Sequence, residues 1–522
     1  MVSRRSVLGA IVAEAAMVAL SSCSSRPAPS PPATTTTGLP QSRPAPSRPA
    51  TTTTGLPQGF DELDAKIEAA MKSHAIPGVA VAVLAGGQEY VKGYGVTNVD
   101  DPVPVDGDTV FRIASTTKTF TGTTMMRLHE QGEVDLDAPV RTYLPDFAVA
   151  DPAASAAVTV RQLLNHTCGW LGDDLQDFGS GDDALARYVA SMTRLPQLTP
   201  PGAVFAYSNA GLVLAGRIIE VVTGSSYEAA VQNLLLDPLE LRRTGYFSDE
   251  ISDLDVSASH DVVDGKAVVD TGFWSMPRSI NPTGGLMSTA ADQLRYARFH
   301  LGDGTAPDGT ALLSRPALVA MRSNPGAGGT QIVELTGVGV TWMLRPSTEN
   351  VTIVEHGGSW HGQKSGFFMV PDRNYAMTVL TNSEGGGALC AELFDGDWAL
   401  RRFAGVSNLA AAPENLSAAE LAPYEGRWAG QQVVGDGTVE TTVIDLHADN
   451  GHLSGTMGGG DDSSDPEAED TNGPIGFAFY RPDYLLNLGP DGTPTGARSD
   501  FVRGPEGHIA WLRNGGRLYQ RQ

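Results

Sequence analysis

Hydrophobic and polar positions follow two different periods along the chain, and together they predict a domain that mixes helices and strands. The stretch FDELDAKIEAAMKSHAI, which begins at Phe60, carries apolar residues at helical spacing. PGVAVAVLAGG and QEYVKGYGV then form two strand-like segments around Gly86-Gly87. Much later, VTIVEHG, KSGFFMVP and NYAMTVLTN have the character of consecutive strands. The sheet is therefore expected to collect strands from both ends of this segment.

Helical patterns fill the region between these two groups of strands. One pattern begins near Ser115 and ends at Gly132, where a glycine suits the C-terminal cap of a helix. STAADQLRYARFHLG starts with a Ser/Thr cap that has Asp292 behind it. VTVRQLLNH and AGLVLAGRIIEVVTG are two further helical segments. The prediction for this part is a helical subdomain packed beside the sheet.

The character of the sequence changes after Phe403. AAAPENLSAAEL is typical of a linker, and from Tyr424 onward short strands are separated by Gly, Asp and Pro. This pattern predicts a small antiparallel barrel or sandwich. The acidic run 458–470 lacks the regular ligand positions of an EF-hand, so a solvated loop is favoured over a calcium site.

The first residues are typical of an export signal and not of a folded domain. Arg4-Arg5 precedes an apolar stretch that is too short to span a bilayer, and the pair resembles a twin-arginine signal. Leu20-Ser21-Ser22-Cys23 resembles a bacterial lipobox, in which Cys23 would be lipidated. We therefore expect an exported protein held by a lipid anchor at the outer face of a bacterial membrane. The alternative is a plain secretory signal with an incidental cysteine.

A repeat separates this signal from the folded part. RPAPSPPATTTTGLPQ recurs as RPAPSRPATTTTGLPQ, and this Pro/Thr-rich composition favours an extended stalk. The sequence therefore divides into an export signal with a lipobox (1–23), a repeat linker (24–58), a first folded domain (59–405), a second linker (406–423) and a C-terminal β domain (424–522).

Charge and cysteine content narrow the range of partners. The formal net charge is −24, which argues against nucleic acid because phosphates attract a basic surface. Two cysteines remain in the body of the chain, Cys168 and Cys390, far apart in sequence. Unpaired thiols are the simpler expectation, with a disulfide as the alternative.

The candidate chemistry begins with IASTTKTFTG, which places Ser115 and Lys118 three residues apart. The chain has only six lysines, and Lys118 alone among them has a serine three residues before it. Residues i and i+3 share a helix face. A serine hydroxyl needs a nearby base to become a nucleophile, and a lysine can serve if burial lowers its pKa. Arginine cannot serve, because it stays protonated.

Two further motifs follow in order. FAYSNAGL contains Tyr207 and Asn209, and EHGGSWHG contains His356 and Gly358. A tyrosine can relay a proton and an asparagine can hold a substrate amide. A glycine-rich strand lets a substrate backbone approach closely. Together with the Ser-x-x-Lys pair, these residues predict nucleophilic catalysis.

The three ordered motifs resemble the serine β-lactamase / penicillin-binding-protein family, in particular its class C β-lactamase, DD-peptidase and esterase branch. The resemblance covers roughly residues 60 to 403. It implies an α+β fold, with a mixed α/β sheet and a helical subdomain. It also implies an acyl-enzyme route that uses no metal and no cofactor. The tail 424–522 resembles the small lipocalin-like β domain that is attached to some of these hydrolases.

The resemblance also implies roles for single residues. Ser115 would be the nucleophile, with Lys118 and Tyr207 sharing general acid and base work. Asn209 would hold polar groups of the substrate. His356 and Gly358 would contribute to substrate binding, and the backbone N–H groups of Ser115 and Ser359 would form the oxyanion hole.

One departure from the family pattern bears on the substrate. Many members, including most true β-lactamases, have lysine where this chain has His356, and histidine occurs there in esterase, carboxypeptidase and D-aminopeptidase-like relatives. Histidine is not a permanent cation, so binding of a substrate carboxylate by this residue is in doubt. The expected function is a serine hydrolase acting on D-Ala-type peptides or small esters, including peptidoglycan-type peptides. Hydrolysis of β-lactams is the first alternative.

Other classes of protein are alternatives to this serine hydrolase. A non-catalytic envelope protein that binds cell-wall peptide would keep its ligand in Ser115→Ala, whereas an enzyme would lose its activity. A Ser-His-Asp hydrolase would require Gly-x-Ser-x-Gly, and GGSWHG misses it. A metal site could use Glu355, His356 and His361, but their spacing matches no metal motif. Candidates to line a substrate pocket are Trp170, Trp274 and Trp360.

Overall fold

The structure is a computed structural model of the chain and describes residues 59–248, 250, 254–270, 276–323, 325–459 and 473–522. The predicted signal with Cys23, the repeat linker, Trp274 and most of the acidic run 458–470 lie outside the described residues. In the described part, no helix has the length and apolar character needed to cross a membrane.

Helices and strands of the first domain occupy the order that the sequence pattern predicts. Its helices are α1 Phe60–Ser73, α2 Thr117–Glu130, α3 Pro152–Ala157, α4 Val160–Leu164, α5 Ala184–Ser191, α6 Asn209–Thr223, α7 Tyr227–Val231, α8 Asn281–Gly284, α9 Ala290–Leu301, α10 Arg315–Ala320 and α11 Gly386–Cys390. Its strands are β1 Gly78–Ala85, β2 Gln88–Gly95, β3 Phe111–Arg112, β4 His260–Val263, β5 Lys266–Val269, β6 Met287–Ser288, β7 Gly329–Thr330, β8 Glu334–Leu335, β9 Gly337–Val338, β10 Met343–Arg345, β11 Ile353–Trp360, β12 Gln363–Val370 and β13 Tyr375–Thr381.

The main sheet joins the two ends of this domain. Its order is β2-β1-β13-β12-β11-β10-β9, and the neighbouring strands run antiparallel. Side chains of β1 alternate between two hydrophobic clusters: Val79 and Val81 pack with α1, and Ala80 and Ala82 pack with the helical subdomain. Both faces of the sheet are therefore covered, which explains why β1 and β13 are apolar along almost their whole length and why β12 is buried throughout. The prediction of a mixed α+β domain is confirmed.

Helix α2 lies at the centre of the helical subdomain. Phe120 is fully buried and stacks on Tyr296 of α9 with ring centroids 4.0 Å apart. The threonines of α2 are buried too, and Thr119 and Thr123 each donate a hydrogen bond to a carbonyl of the preceding turn. Because this helix is enclosed on nearly all sides, any residue in its first turn is held in a fixed position.

The C-terminal domain is a closed antiparallel barrel. Helix α12 Ala418–Leu421 precedes it, and its strands are β14 Gly426–Val433, β15 Val439–Asp449, β16 His452–Gly459, β17 Gly473–Arg481, β18 Tyr484–Leu488, β19 Pro494–Arg503, β20 Ile509–Asn514 and β21 Arg517–Arg521. The barrel closes where β14 pairs with β21. Its interior contains buried aromatic residues, among them Trp428, Phe477 and Phe501. Of the two architectures predicted for this segment, the barrel is the one observed.

The barrel contacts the first domain through several polar groups. Arg513 Nη1 donates to the Phe205 carbonyl at 2.6 Å. Glu334 pairs with Arg481 and Arg498 of the barrel at 2.7 and 3.3 Å. These contacts place the barrel next to the loop that precedes α6.

The two cysteines of the body form no disulfide. Cys168 belongs to the hydrophobic cluster of the helical subdomain, whereas Cys390 packs against the cluster on the other face of the sheet. The two cysteines thus lie on opposite sides of the main sheet, which agrees with the preference for no disulfide.

Replacing Phe120 by alanine tests the central place of α2. The loss of a buried, stacked ring is expected to lower the free energy of unfolding by about 3–5 kcal/mol. Val221→Ala on α6 is the matched control, because Val221 is 43% exposed, and its effect should stay within about 0.5 kcal/mol. Denaturant unfolding followed by tryptophan fluorescence measures both. Equal effects of the two substitutions would contradict this assignment.

Candidate active site

The turn that carries Ser115 has an unusual backbone. Ala114 has a φ of 44°, a conformation uncommon for a residue with a side chain. Ala114 begins a short 3-10 turn, Ala114–Thr116, which leads directly into α2 at Thr117. The predicted helix near Ser115 therefore starts two residues later than Ser115 itself. Ser115 is half-buried while both of its neighbours are buried, so its hydroxyl is the part of this turn that substrate can reach.

Lys118 lies one helical turn from this hydroxyl and has no contact with water. Its Nζ is 3.0 Å from Ser115 Oγ and donates to the Thr283 carbonyl at 2.8 Å. The side chain is fully buried. Burial lowers the pKa of Lys118 well below its ordinary value, Arg517 lowers it further and Asp173 opposes the shift. A neutral amine has a lone pair that can accept the Ser115 proton.

The Tyr207 side chain contacts Ser115, Lys118 and Arg517. Its side chain hydrogen-bonds with that of Ser115, while burial raises the pKa of the phenol. Lys118 Nζ lies 4.9 Å from the centroid of the Tyr207 ring, and the Arg517 guanidinium lies 4.6 Å from it. At these distances each of the two groups can form a cation–π interaction with the ring when it is charged. The phenol is therefore protonated at neutral pH and can give a proton to Ser115 or to a leaving group.

Asn209 is the first residue of α6, and its amide is fixed from both sides. Nδ2 donates to Asp173 Oδ1 at 2.6 Å, and Oδ1 accepts from Thr283 Oγ1 at 2.6 Å. Each amide atom can still make one more hydrogen bond. Thr283 thus connects Lys118, through its carbonyl, with Asn209, through its hydroxyl.

His356 is buried and neutral. Its Nδ1 lies 2.7 Å from the Gly357 carbonyl, so Nδ1 carries the proton. Nε2 is then a bare acceptor, and it is buried without a hydrogen-bond partner. Burial, together with the charge of Lys118, lowers the pKa of His356 to about 3. At neutral pH this residue supplies an acceptor and no positive charge.

Gly358 sets the distance between β11 and the turn of Ser115. A Cβ at this position would lie 2.1 Å from the Ile113 carbonyl oxygen and 3.0 Å from Ser115 N. Ser365 of β12 holds the same turn, because its Oγ donates to the Ile113 carbonyl at 2.8 Å. The strand can therefore approach the nucleophile so closely only with glycine here.

The position of Ser359 in its hairpin suits its backbone N–H to binding an oxyanion. Trp360 and Gln363 flank a two-residue turn, and the residues that close such a turn form a hydrogen-bonded pair. The next pair, Ser359 and Lys364, is then of the other type, in which the N–H groups point away from the partner strand. Among the described strands, β10 covers the other edge of β11 at residues 353–355, which leaves Ser359 beyond it. Its N–H is thus positioned at an open edge.

Several residues that surround this centre do not belong to any of the three sequence motifs. His166 has a φ of 57°, stacks on Tyr207 with centroids 4.5 Å apart and accepts the Ser208 N–H at Nδ1. Asp173 and Thr283 hold Asn209, and Arg517 comes from the barrel. His166 and Thr283 lie in VTVRQLLNHTCGW and NPTGGLMSTAADQLRYARF, two segments that resemble connecting segments of the family. Nothing in these two segments indicates the individual role of His166 or Thr283.

The remaining candidates have other surroundings. Trp170 is buried and lines a cavity between the first domain and the barrel, together with Tyr207 and Tyr519. Trp360 is half-buried beside His361. Glu355 forms an ion pair with Arg345 at 3.2 Å. Within the described ranges, no three His, Cys, Asp or Glu side chains come together as a metal site.

Known proteins resemble this chain in sequence or in fold. The family described as Beta-lactamase matches residues 63–395. Penicillin-binding protein 4 of Amycolatopsis lactamdurans is 37% identical over 331 residues, which are 63% of this chain and 87% of that protein.

Two solved structures are similar over most of the chain. SurE, solved with D-Leu, is 26% identical with a TM-score of 0.67, and the match covers 88% of this chain and 99% of SurE. An octameric penicillin-binding protein homologue from Pyrococcus abyssi has a TM-score of 0.58 at 22% identity, covering 89% of this chain and 100% of its own. The latter likeness concerns the fold alone.

Gly358→Ala tests the geometry between β11 and the nucleophile. The added Cβ must push β11 away from Ser115, which would misplace the Ser359 N–H. The rate of covalent labelling by a fluorophosphonate should fall about 100-fold or more. Gly357→Ala is the matched control, since its Cβ would lie 3.3 Å from the Ser365 carbonyl and no closer to any other atom. If both variants label at the wild-type rate, β11 does not form the oxyanion site.

Proposed function

The chain belongs to the Beta-lactamase family of serine hydrolases, and from that premise we propose that it cleaves D-amino-acid-containing peptides or small esters through an acyl-enzyme on Ser115. The observation that carries this proposal is the fully buried Lys118 amine 3.0 Å from Ser115 Oγ. A buried amine that is neutral at pH 7 can act as a general base towards a hydroxyl.

The reaction proceeds in two steps. In acylation, Ser115 Oγ forms a bond to the carbonyl carbon while its proton passes to Lys118 Nζ. The bond to the leaving amine or alcohol breaks, and Lys118 passes this proton to the leaving group, directly or through Tyr207, so that the amine is neutral again. In deacylation, water gives a proton to Lys118 Nζ and attacks the ester carbonyl carbon. The bond to Ser115 Oγ breaks, and Lys118 returns the proton to this oxygen. The N–H groups of Ser115 and Ser359 stabilise the oxyanion in both steps.

The site favours peptides and esters over β-lactams. Binding the carboxylate of a penicillin is helped by a fixed cation at the third motif, and His356 is uncharged because its pKa is about 3. One relative supports a substrate with a D-configured residue, because SurE was solved with D-Leu. The name of another, Penicillin-binding protein 4, is compatible with β-lactam binding. Hydrolysis of β-lactams remains the competing activity in the test below.

We also propose that the enzyme works outside the cytoplasm. The support is the sequence of residues 1–23, with Arg4-Arg5 and the lipobox ending at Cys23. A lipid on Cys23 and the Pro/Thr-rich stalk would hold the catalytic domain near peptidoglycan-type peptides. This location is consistent with a D-amino-acid substrate.

Covalent labelling tests the proposed nucleophile and base. A fluorophosphonate should add one adduct, mapped to Ser115, and Ser115→Ala should abolish it. Lys118→Arg should slow labelling by about 10²–10⁴-fold, because an arginine side chain does not give up its proton. Lys72→Arg, at an exposed position of α1, is the matched control and should label at the wild-type rate.

A substrate panel then separates the activities. We expect turnover of p-nitrophenyl esters or of amidated peptides with a D-Ala residue at the scissile bond, with little turnover of nitrocefin and none of the all-L peptides. Nitrocefin turnover faster than that of peptides and esters would favour the β-lactamase alternative. Tight peptide binding without any adduct on Ser115 would contradict an enzyme.

A further inference from the structure

The turn between the last two barrel strands reaches the active site. Gly516 is followed by Arg517, the first residue of β21, and the Gly516 carbonyl accepts the Tyr207 N–H at 2.9 Å. Arg517 Nη1 donates to the Gly515 carbonyl at 2.9 Å, which fixes the guanidinium relative to its own turn. The backbone of Tyr207 is therefore paired with a segment more than 300 residues away in sequence.

The Arg517 side chain contacts the Tyr207 ring directly and is linked to Asn209 through the carboxylate of Asp173. Its Nε donates to Asp173 Oδ2 at 2.9 Å, and the other oxygen of Asp173 accepts from Asn209 Nδ2 at 2.6 Å. The guanidinium also lies over the Tyr207 ring at 4.6 Å. Tyr207 and Asn209 thus share one support from the barrel.

We infer that Arg517 is a positioning residue of the active site, supplied by the C-terminal barrel: it neutralises Asp173, which orients Asn209, and it holds the ring of Tyr207. The barrel would then be part of the catalytic apparatus and not only a packing module. This inference rests on the proposed function, since it concerns the environment of the same nucleophile and base.

The charges around Lys118 explain why this ion pair matters for the chemistry. Tyr207, His166 and His356 face the amine, and burial keeps all three uncharged at neutral pH. The charged groups that act on it are those of Arg517 and Asp173.

These two charges act on the amine in opposite directions. Arg517 lowers the pKa of Lys118 and Asp173 raises it. Without Arg517, the Asp173 carboxylate would favour the protonated amine, which cannot accept a proton from Ser115. Without the Asp173 carboxylate, Arg517 would favour the neutral amine.

The test is the pH dependence of fluorophosphonate labelling in the full-length protein. A neutral Lys118 is needed, so labelling falls on the acid side as the amine becomes protonated. Arg517→Met should move this acid limb to higher pH by about one unit, and Asp173→Asn should move it to lower pH. The double variant, which removes both charges, should return the limb close to its wild-type position.

Two further variants separate charge from packing. Arg517→Lys keeps the charge, so the limb should stay in place while the labelling rate falls, because lysine cannot reproduce the fork of the guanidinium. Arg481→Met removes an ion pair with Glu334 that also joins the barrel to the first domain, and it should alter neither the limb nor the rate.

The outcomes separate this inference from the proposal on which it rests. If the wild type forms no adduct on Ser115, the proposed function has failed. If the wild type labels and Arg517→Met and Asp173→Asn keep the wild-type limb or move it in the same direction, the inference about Arg517 is wrong. Should Arg517→Met not fold, as judged by circular dichroism, the two other variants decide the matter: the limb must move to lower pH in Asp173→Asn and stay in place, with slower labelling, in Arg517→Lys.

Discussion

The site depends on the burial of one amine. Lys118 belongs to a helix that is enclosed on nearly all sides, and its Nζ reaches the Ser115 hydroxyl and the Thr283 carbonyl. In water the amine would be charged at neutral pH and useless as a base. The packing of α2 removes that hydration, so the free energy that stabilises the helical subdomain also lowers the pKa of the amine.

Because the Lys118 amine is buried, the side chains around it must be uncharged or paired with a group of opposite charge. His166 and His356 are buried with the amine and have lowered pKa values, so neither adds a charge at neutral pH. The charges that do act on it, Asp173 and Arg517, are paired with each other at 2.9 Å. Since Arg517 comes from the barrel, the electrostatic balance of the site requires both domains.

Sequence patterns predicted the sheet, the central helix and the three motifs because each has a local signal. Continuous apolar runs mark β1 and β13, and the Ser-x-x-Lys spacing marks the candidate nucleophile and base. The supporting residues have no such signal. Arg517 and Asp173 are 344 residues apart, and Thr283 acts partly through its carbonyl, a group that every residue has. Such contacts follow from the fold and cannot be read from spacing.

The most direct measurement of the central claim is the titration of the lysine side chains by NMR after labelling with [6-13C]lysine. The chain has only six lysines, so the Lys118 resonance can be assigned by its loss in Lys118→Arg. The account predicts that this resonance has the chemical shift of a neutral amine at pH 7 and titrates well below pH 10.5. A Lys118 resonance that is charged at pH 7 and titrates with the exposed lysines would contradict it.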